Sequence, residues 1–133
     1  MRQAGIIAAG GLYALQNNVA RLKDDHDHAR LLFEGLSQIS GVSMVPGSCH
    51  TNMLFMNAGP DYAALQNHLL DQGIRWPKTP NKWEQIRLVT HLDISRGDID
   101  KTLEVVREFY RRLYVSDSPA YLQAGPSDQN HLP

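Results

Sequence analysis

The run Ile86-Arg87-Leu88-Val89-Thr90-His91-Leu92-Asp93-Ile94-Ser95 constrains this chain more than any other stretch. A charged arginine stands at the start of a short apolar segment that ends in a dense polar cluster. Within a small domain, a strand arginine needs a partner, because burying an unpaired charge is costly. Its planar fork matches a carboxylate through two parallel hydrogen bonds. Arg87 therefore reads as a carboxylate clamp, with a structural ion pair to one of the acidic residues as the alternative.

The elements around this run follow from periodicity. Residues 1–17, rich in alanine and leucine, predict a helix. Gly10 and Gly11 weaken it by about 1 kcal/mol each relative to alanine. Its small side chains invite close approach by another backbone, either one outside this chain or a second copy. Residues 18–39 predict a second helix, with Val19, Leu22, His26, Ala29, Phe33 and Leu36 as its apolar stripe. Arg21 and Asp25 are spaced to pair across one turn, and Gly41 marks the stop. Residues 42–45 and 52–56 predict strands, with Pro46-Gly47-Ser48 as the turn chemistry between them. A third helix is expected over 61–71, closed by Gly73. Short strands are expected at 74–76 and 85–91. In the last helix Ser95 is the N-cap, Asp98 completes a capping-box variant, and Ile99, Leu103, Val106, Tyr110 and Leu113 face inward. The expected class is α+β, a short antiparallel sheet with helices packed on one face. Residues 1–115 are expected to form the domain and 116–133 a disordered tail.

A chain of 133 residues fits one domain with its own core. A net charge of -1 gives no electrostatic footprint for nucleic acid or an anionic membrane. A single cysteine, Cys49, excludes an internal disulfide framework and suits a reducing cytoplasm. No apolar run is long enough to span a bilayer.

Other polar clusters have bland readings. Asp24-Asp25-His26-Asp27-His28 resembles a metal cluster in composition, but consecutive helical residues point in different directions. Only a pair such as Asp24 and His28 shares a face, short of the four ligands zinc usually takes; no metal site is expected. Cys49 and His50 would point to opposite sides of an extended chain and so do not form a nucleophile with its base. Gly10-Gly11 lies within a helix and is not a phosphate loop.

The wording of the Ile86–Ser95 run closely resembles the end of the low-specificity L-threonine aldolases, within the β-eliminating lyases. The opening Met1-Arg2-Gln3-Ala4-Gly5 resembles the same family's MRQAG helix. Leu22, Asp25-His26, Ala29-Arg30 and Thr51-Asn52-Met53 fall between them in the family's order. The likeness extends over residues 1–113. Three departures stand out: the Gly10-Gly11 pair, the segment Trp76-Pro77-Lys78-Thr79-Pro80-Asn81, and the tail from Tyr114.

The resemblance implies the small C-terminal domain of a fold-type I pyridoxal-phosphate enzyme, with residues 1–17 linking to a large domain. It implies retro-aldol cleavage of a β-hydroxy amino acid to glycine and an aldehyde, and a homo-oligomer. Arg87 would grip the substrate α-carboxylate, with Thr90, His91 and Asp93 supporting it, and Arg2 would lie near the cofactor. The family's cofactor lysine lies upstream of the MRQAG helix. None of Lys23, Lys78, Lys82 and Lys101 sits in its motif. The chain by itself is therefore expected to hold no covalent cofactor, to supply no catalytic residue and to be inactive. Two alternatives stand beside this: a non-catalytic, self-associating interaction module, and a small carboxylate-binding domain built around Arg87.

Overall fold

The computed structural model describes residues 4–116. The expectations for Arg2 and for the tail after Ser116 lie outside them. The order is α1 (Ala4–Asn17), α2 (Leu22–Ser37), β1 (Ser43–Met44), β2 (Met53–Asn57), α3 (Tyr62–Asp71), β3 (Gln85–Val89) and α4 (Arg96–Ser116). The strands form one antiparallel sheet in the order β1-β2-β3. This is the expected α+β architecture.

Alternation along the strands fixes two unlike sheet faces. Leu54 and Met56 of β2 and Ile86 and Leu88 of β3 are buried. They join Leu32 and Leu36 of α2, Leu65 and Leu69 of α3, and Val106 and Tyr110 of α4 in one core. Met53, Phe55 and Asn57, with Gln85, Arg87 and Val89, occupy the opposite face, where no described helix packs and all are at least partly exposed. Helices α2, α3 and α4 thus cover one side and leave the arginine side open.

The α2 stripe differs from the periodic reading. His26, Val19 and Leu22 are exposed, and the buried positions are Asp25, Ala29, Leu32 and Leu36. The reason is an ion pair. Arg21 donates to both Asp25 carboxylate oxygens, at 2.9 and 3.3 Å. That neutralises the carboxylate, so a charged residue takes the inward place and the helix rotates accordingly.

Gly41 ends this region at φ 95°, and a Cβ there would lie 2.5 Å from the Tyr110 ring. Both the left-handed backbone and the crowding require glycine. The start of α4 is capped as expected. Asp98 N–H donates to Ser95 Oγ (3.2 Å), while Asp98 Oδ2 accepts from Ser95 N–H (2.8 Å) and Oγ (2.6 Å). These bonds hold the Asp98 carboxyl below its usual pKa.

The stretch Ile74–Trp76 is not a strand. Ile74 N–H bonds back to Leu69 O at 2.8 Å, closing α3. Trp76 is buried, and Pro77 follows with no N–H to donate. Three residues between a helix stop and a proline do not extend the ladder. Consequently β3 remains an edge strand. Thr90 N–H bonds to Asn52 O and Ala58 N–H to Glu84 O. By antiparallel alternation, Arg87 and Val89 then turn their main-chain groups to the free edge.

Helix α1 buries none of its residues. Ile6, Ile7, Leu12, Tyr13 and Leu15 are each more than half exposed. A Cβ placed on Gly5, Gly10 or Gly11 would meet nothing within 4 Å. No helix among the described residues is long and apolar enough to cross a membrane.

Candidate carboxylate site

Arg87 sits in the middle of β3 with its side chain on the open face, directly opposite Phe55 of β2. Among the described residues its guanidinium makes no ion pair and no hydrogen bond: the six ion pairs there all involve other cations. The structural ion pair held open by the sequence is therefore absent from this region. An exposed strand arginine flanked by apolar neighbours and lacking a carboxylate is free to receive one.

Two grooves meet at this residue. The larger, about 450 Å³, lies along the free edge of β3, between it and residues 73–77. Thr90, Asp93, Asp98 and Lys101 share its walls with Arg87 and Trp76. The smaller, about 440 Å³, opens on the sheet face between Arg87, Phe55 and the loop carrying Pro80 and Trp83. Pro77 lines both.

The structure separates the three residues named as support for Arg87. Thr90 is buried, and its Oγ1 donates to Asp25 O of α2 at 2.6 Å, fastening the end of β3 to the helix layer. Asn52 Nδ2 donates to Thr90 O at 2.8 Å, tying the same point to β2. His91 and Asp93 are exposed and engage each other, with Asp93 N–H donating to His91 Nδ1 at 3.3 Å. None of the three touches Arg87 through a hydrogen bond. Thr90 fixes the strand that carries Arg87, and Asp93 stands across the larger groove.

The remaining clusters do not converge. Among the described residues no three His, Cys, Asp or Glu side chains are placed to hold a metal ion. Burial pushes the Cys49 thiol above its usual pKa, which disfavours the reactive thiolate. Nor do the lysines fit a covalent cofactor site. Lys23 pairs with Asp27, and Lys101 Nζ donates to Gln72 O at 2.9 Å. Lys82 Nζ lies 4.4 Å from the centre of the Trp83 ring. Lys78 is exposed beside a shallow pocket with Gln66. Lys101 shares the larger groove with Asp93 and Asp98, but its ammonium is engaged by Gln72 O. Among the described residues these lysines do not fit a covalent pyridoxal-phosphate site.

Sequence reasoning missed the 81–85 turn. Asn81 Oδ1 accepts from Trp83 N–H (2.9 Å) and Gln85 N–H (3.0 Å), and Asn81 N–H donates to Gln85 O (2.8 Å). Glu84 adopts φ 57°, the left-handed region, without being glycine. The signal available was an asparagine two residues before an isolated tryptophan, an Asx-turn pattern.

The chain is similar in sequence to known proteins. The family model described as Beta-eliminating lyase matches residues 1–59, from α1 through β2. The low specificity L-threonine aldolase of Escherichia coli strain K12 is 41% identical over 113 residues, covering 84% of this chain and 32% of that protein. Low-specificity L-threonine aldolase 1 of Arabidopsis thaliana is 36% identical over 112 residues, covering 81% of this chain and 31% of the relative. A probable low-specificity L-threonine aldolase 2 from the same plant is 33% identical over 114 residues. With 84% of the chain inside the first match, β3 and Arg87 fall within it wherever its ends lie. The chain spans about a third of the length of the curated relatives it matches. Over about a third of their length, the chain is thus a relative of the β-eliminating lyases of the low-specificity L-threonine aldolase type.

Proposed function

We propose that this chain is the substrate-orienting C-terminal part of a pyridoxal-phosphate-dependent lyase that cleaves β-hydroxy amino acids to glycine and an aldehyde. Arg87 holds the substrate α-carboxylate. The observation that carries this reading is the Arg87 guanidinium at the centre of an edge strand, with no ion pair among the described residues, on a sheet face that no described helix covers. Two parallel N–H donors on one carboxylate fix both the position and the rotation of an amino acid. Orientation of that kind contributes to rate only where the reacting centre is held in register with it. The strand is suited to this, because Thr90 and Asn52 lock its end to α2 and β2.

The cofactor used by the family belongs, in this reading, to residues outside this chain, and α1 joins the two parts. The domain is 1–115 and works in the cytoplasm, where a lone thiol such as Cys49 stays reduced. Arg2 would lie near the cofactor, while Thr90, His91 and Asp93 support the clamp through the strand end and its turn. The chain alone is inactive. Incubated with threonine and pyridoxal phosphate, it should release glycine no faster than free pyridoxal phosphate does; clearly faster release would overturn this. Mass spectrometry of the natural polypeptide should find a species more than twice 14.9 kDa with peptides upstream of Met1.

A second reading is favoured by one observation, the bare apolar surface of α1. Contiguous apolar exposure of this kind marks a contact surface. In that reading the chain is a non-catalytic module that self-associates through α1. A monodisperse monomer on a calibrated sizing column would end it. Replacing Ile6, Ile7 and Leu15 by glutamine should convert any dimer to monomer.

A further inference from the structure

The smaller groove beside Arg87 has a chemistry that the clamp alone does not explain. Its walls carry a single charge, Arg87 itself, and no carboxylate. The rest is apolar or neutral: Phe55, Pro77 and Pro80 with Trp83, edged by amide and hydroxyl side chains. Trp83 is 66% exposed, although it is among the largest apolar side chains of the protein. The turn that carries it is closely bonded. The 81–85 turn is closed by the two Asn81 Oδ1 bonds, by Asn81 N–H to Gln85 O, and by Glu84 N–H to Asn81 O at 3.0 Å. Ala58 N–H, donating to Glu84 O at 2.8 Å, anchors the turn to the strand beside it. Glu84 sits at positive φ within it. A non-glycine residue persists there only when its surroundings over-determine it, and such strain gathers at ligand sites.

The segment thus holds an exposed aromatic side chain on a closely bonded turn, with the Lys82 ammonium 4.4 Å from its ring centre, beside a groove whose one lining charge, Arg87, has no ion pair among the described residues. The larger groove differs: Asp93 and Asp98 line it together with Lys101 and Arg75, so it offers a second anionic group no such complement.

We infer that this groove seats the β-substituent of the ligand whose carboxylate Arg87 holds, and that Trp83 makes it prefer an aromatic or other flat apolar group. The inference rests on the Arg87 reading and adds the substrate class to it. A ring entering the groove that Trp83 and Phe55 line gains area burial and an aromatic contact. Pro77 and Pro80 form a stiff rim that requires no ordering on binding.

The test uses the 133-residue chain and two monocarboxylates of equal charge, 3-phenylpropionate and propionate. Binding is followed by NMR through the Trp83 indole N–H, assigned with the Trp83→Phe variant, and through the backbone amide of Arg87. The expected result is that 3-phenylpropionate binds about tenfold more tightly than propionate. Trp83→Ala, read at the Arg87 amide, should erase that advantage and leave propionate unchanged, while Trp83→Phe keeps most of it. Arg87→Gln should abolish both. Equal affinities, or an advantage that survives Trp83→Ala, would overturn the aromatic preference and leave the clamp standing. Binding of 3-phenylpropionate that survives Arg87→Gln, or no binding of either acid, would overturn the clamp and this inference with it. Unchanged amide dispersion in each variant confirms that the fold is intact.

Discussion

Phe55 and Arg87 stand directly opposite each other on antiparallel strands, both on the sheet face that the helices leave uncovered. The pairing sets the arginine against an aromatic neighbour, and among the described residues no carboxylate forms an ion pair with it. The same alternation that buries Leu54 and Leu88 on one side forces Phe55 and Arg87 to the other. Core packing and site geometry are therefore two consequences of a single register.

That relationship separates function from stability at Arg87. The side chain is exposed and supports no ion pair among the described residues. Arg87→Gln should shift the unfolding free energy by less than about 0.5 kcal/mol. Urea denaturation checks this. A loss of several kcal/mol would mean that the guanidinium is a structural element.

Thr90 should behave in the opposite way. Its hydroxyl is buried and reaches Asp25 O across the interface between β3 and α2. Thr90→Val keeps the shape and removes the donor, so Asp25 O loses its side-chain partner. The expected cost is about 1–3 kcal/mol. Thr90→Ser, which retains the hydroxyl, should recover part of it, as chemical denaturation would show.

The alkaline limb of stability should belong largely to Tyr62. Its hydroxyl donates to Pro77 O at 2.6 Å, and burial pushes its pKa up to about 12, from 10.0. A raised pKa favours the protonated phenol in the folded state. The stabilisation is thus complete below about pH 10 and fades as pH rises towards 12. Urea midpoints between pH 8 and 12 should fall for the native chain and fall less for Tyr62→Phe. A residual slope is expected from Tyr110, which burial also raises. An unchanged slope in Tyr62→Phe would contradict the assignment.

Much of this was legible in the residues. The apolar alternation around Arg87 gave the strand, and the Ser95–Asp98 spacing gave the cap that starts α4. The face of α2 was misread because hydrophobic periodicity ranks a histidine above an aspartate. A bidentate arginine reversed that order by neutralising Asp25. The strand expected at 74–76 failed because propensity over three residues says nothing of whether a neighbour is within reach. The Trp83 wall was invisible for a related reason. It depends on a side chain–backbone turn at Asn81 and on positive φ at Glu84, neither of which has a periodic signature.

The central claim is that Arg87 orients a substrate carboxylate within a longer lyase. The direct measurement joins this chain to the upstream two thirds of the Escherichia coli relative and compares the fusion with its Arg87→Gln variant for glycine release from threonine. The account predicts a fall in kcat/KM of roughly 10- to 150-fold, the equivalent of losing a charged hydrogen-bonded pair. A value unchanged within about twofold, against an active parent, would show that Arg87 does not hold the carboxylate.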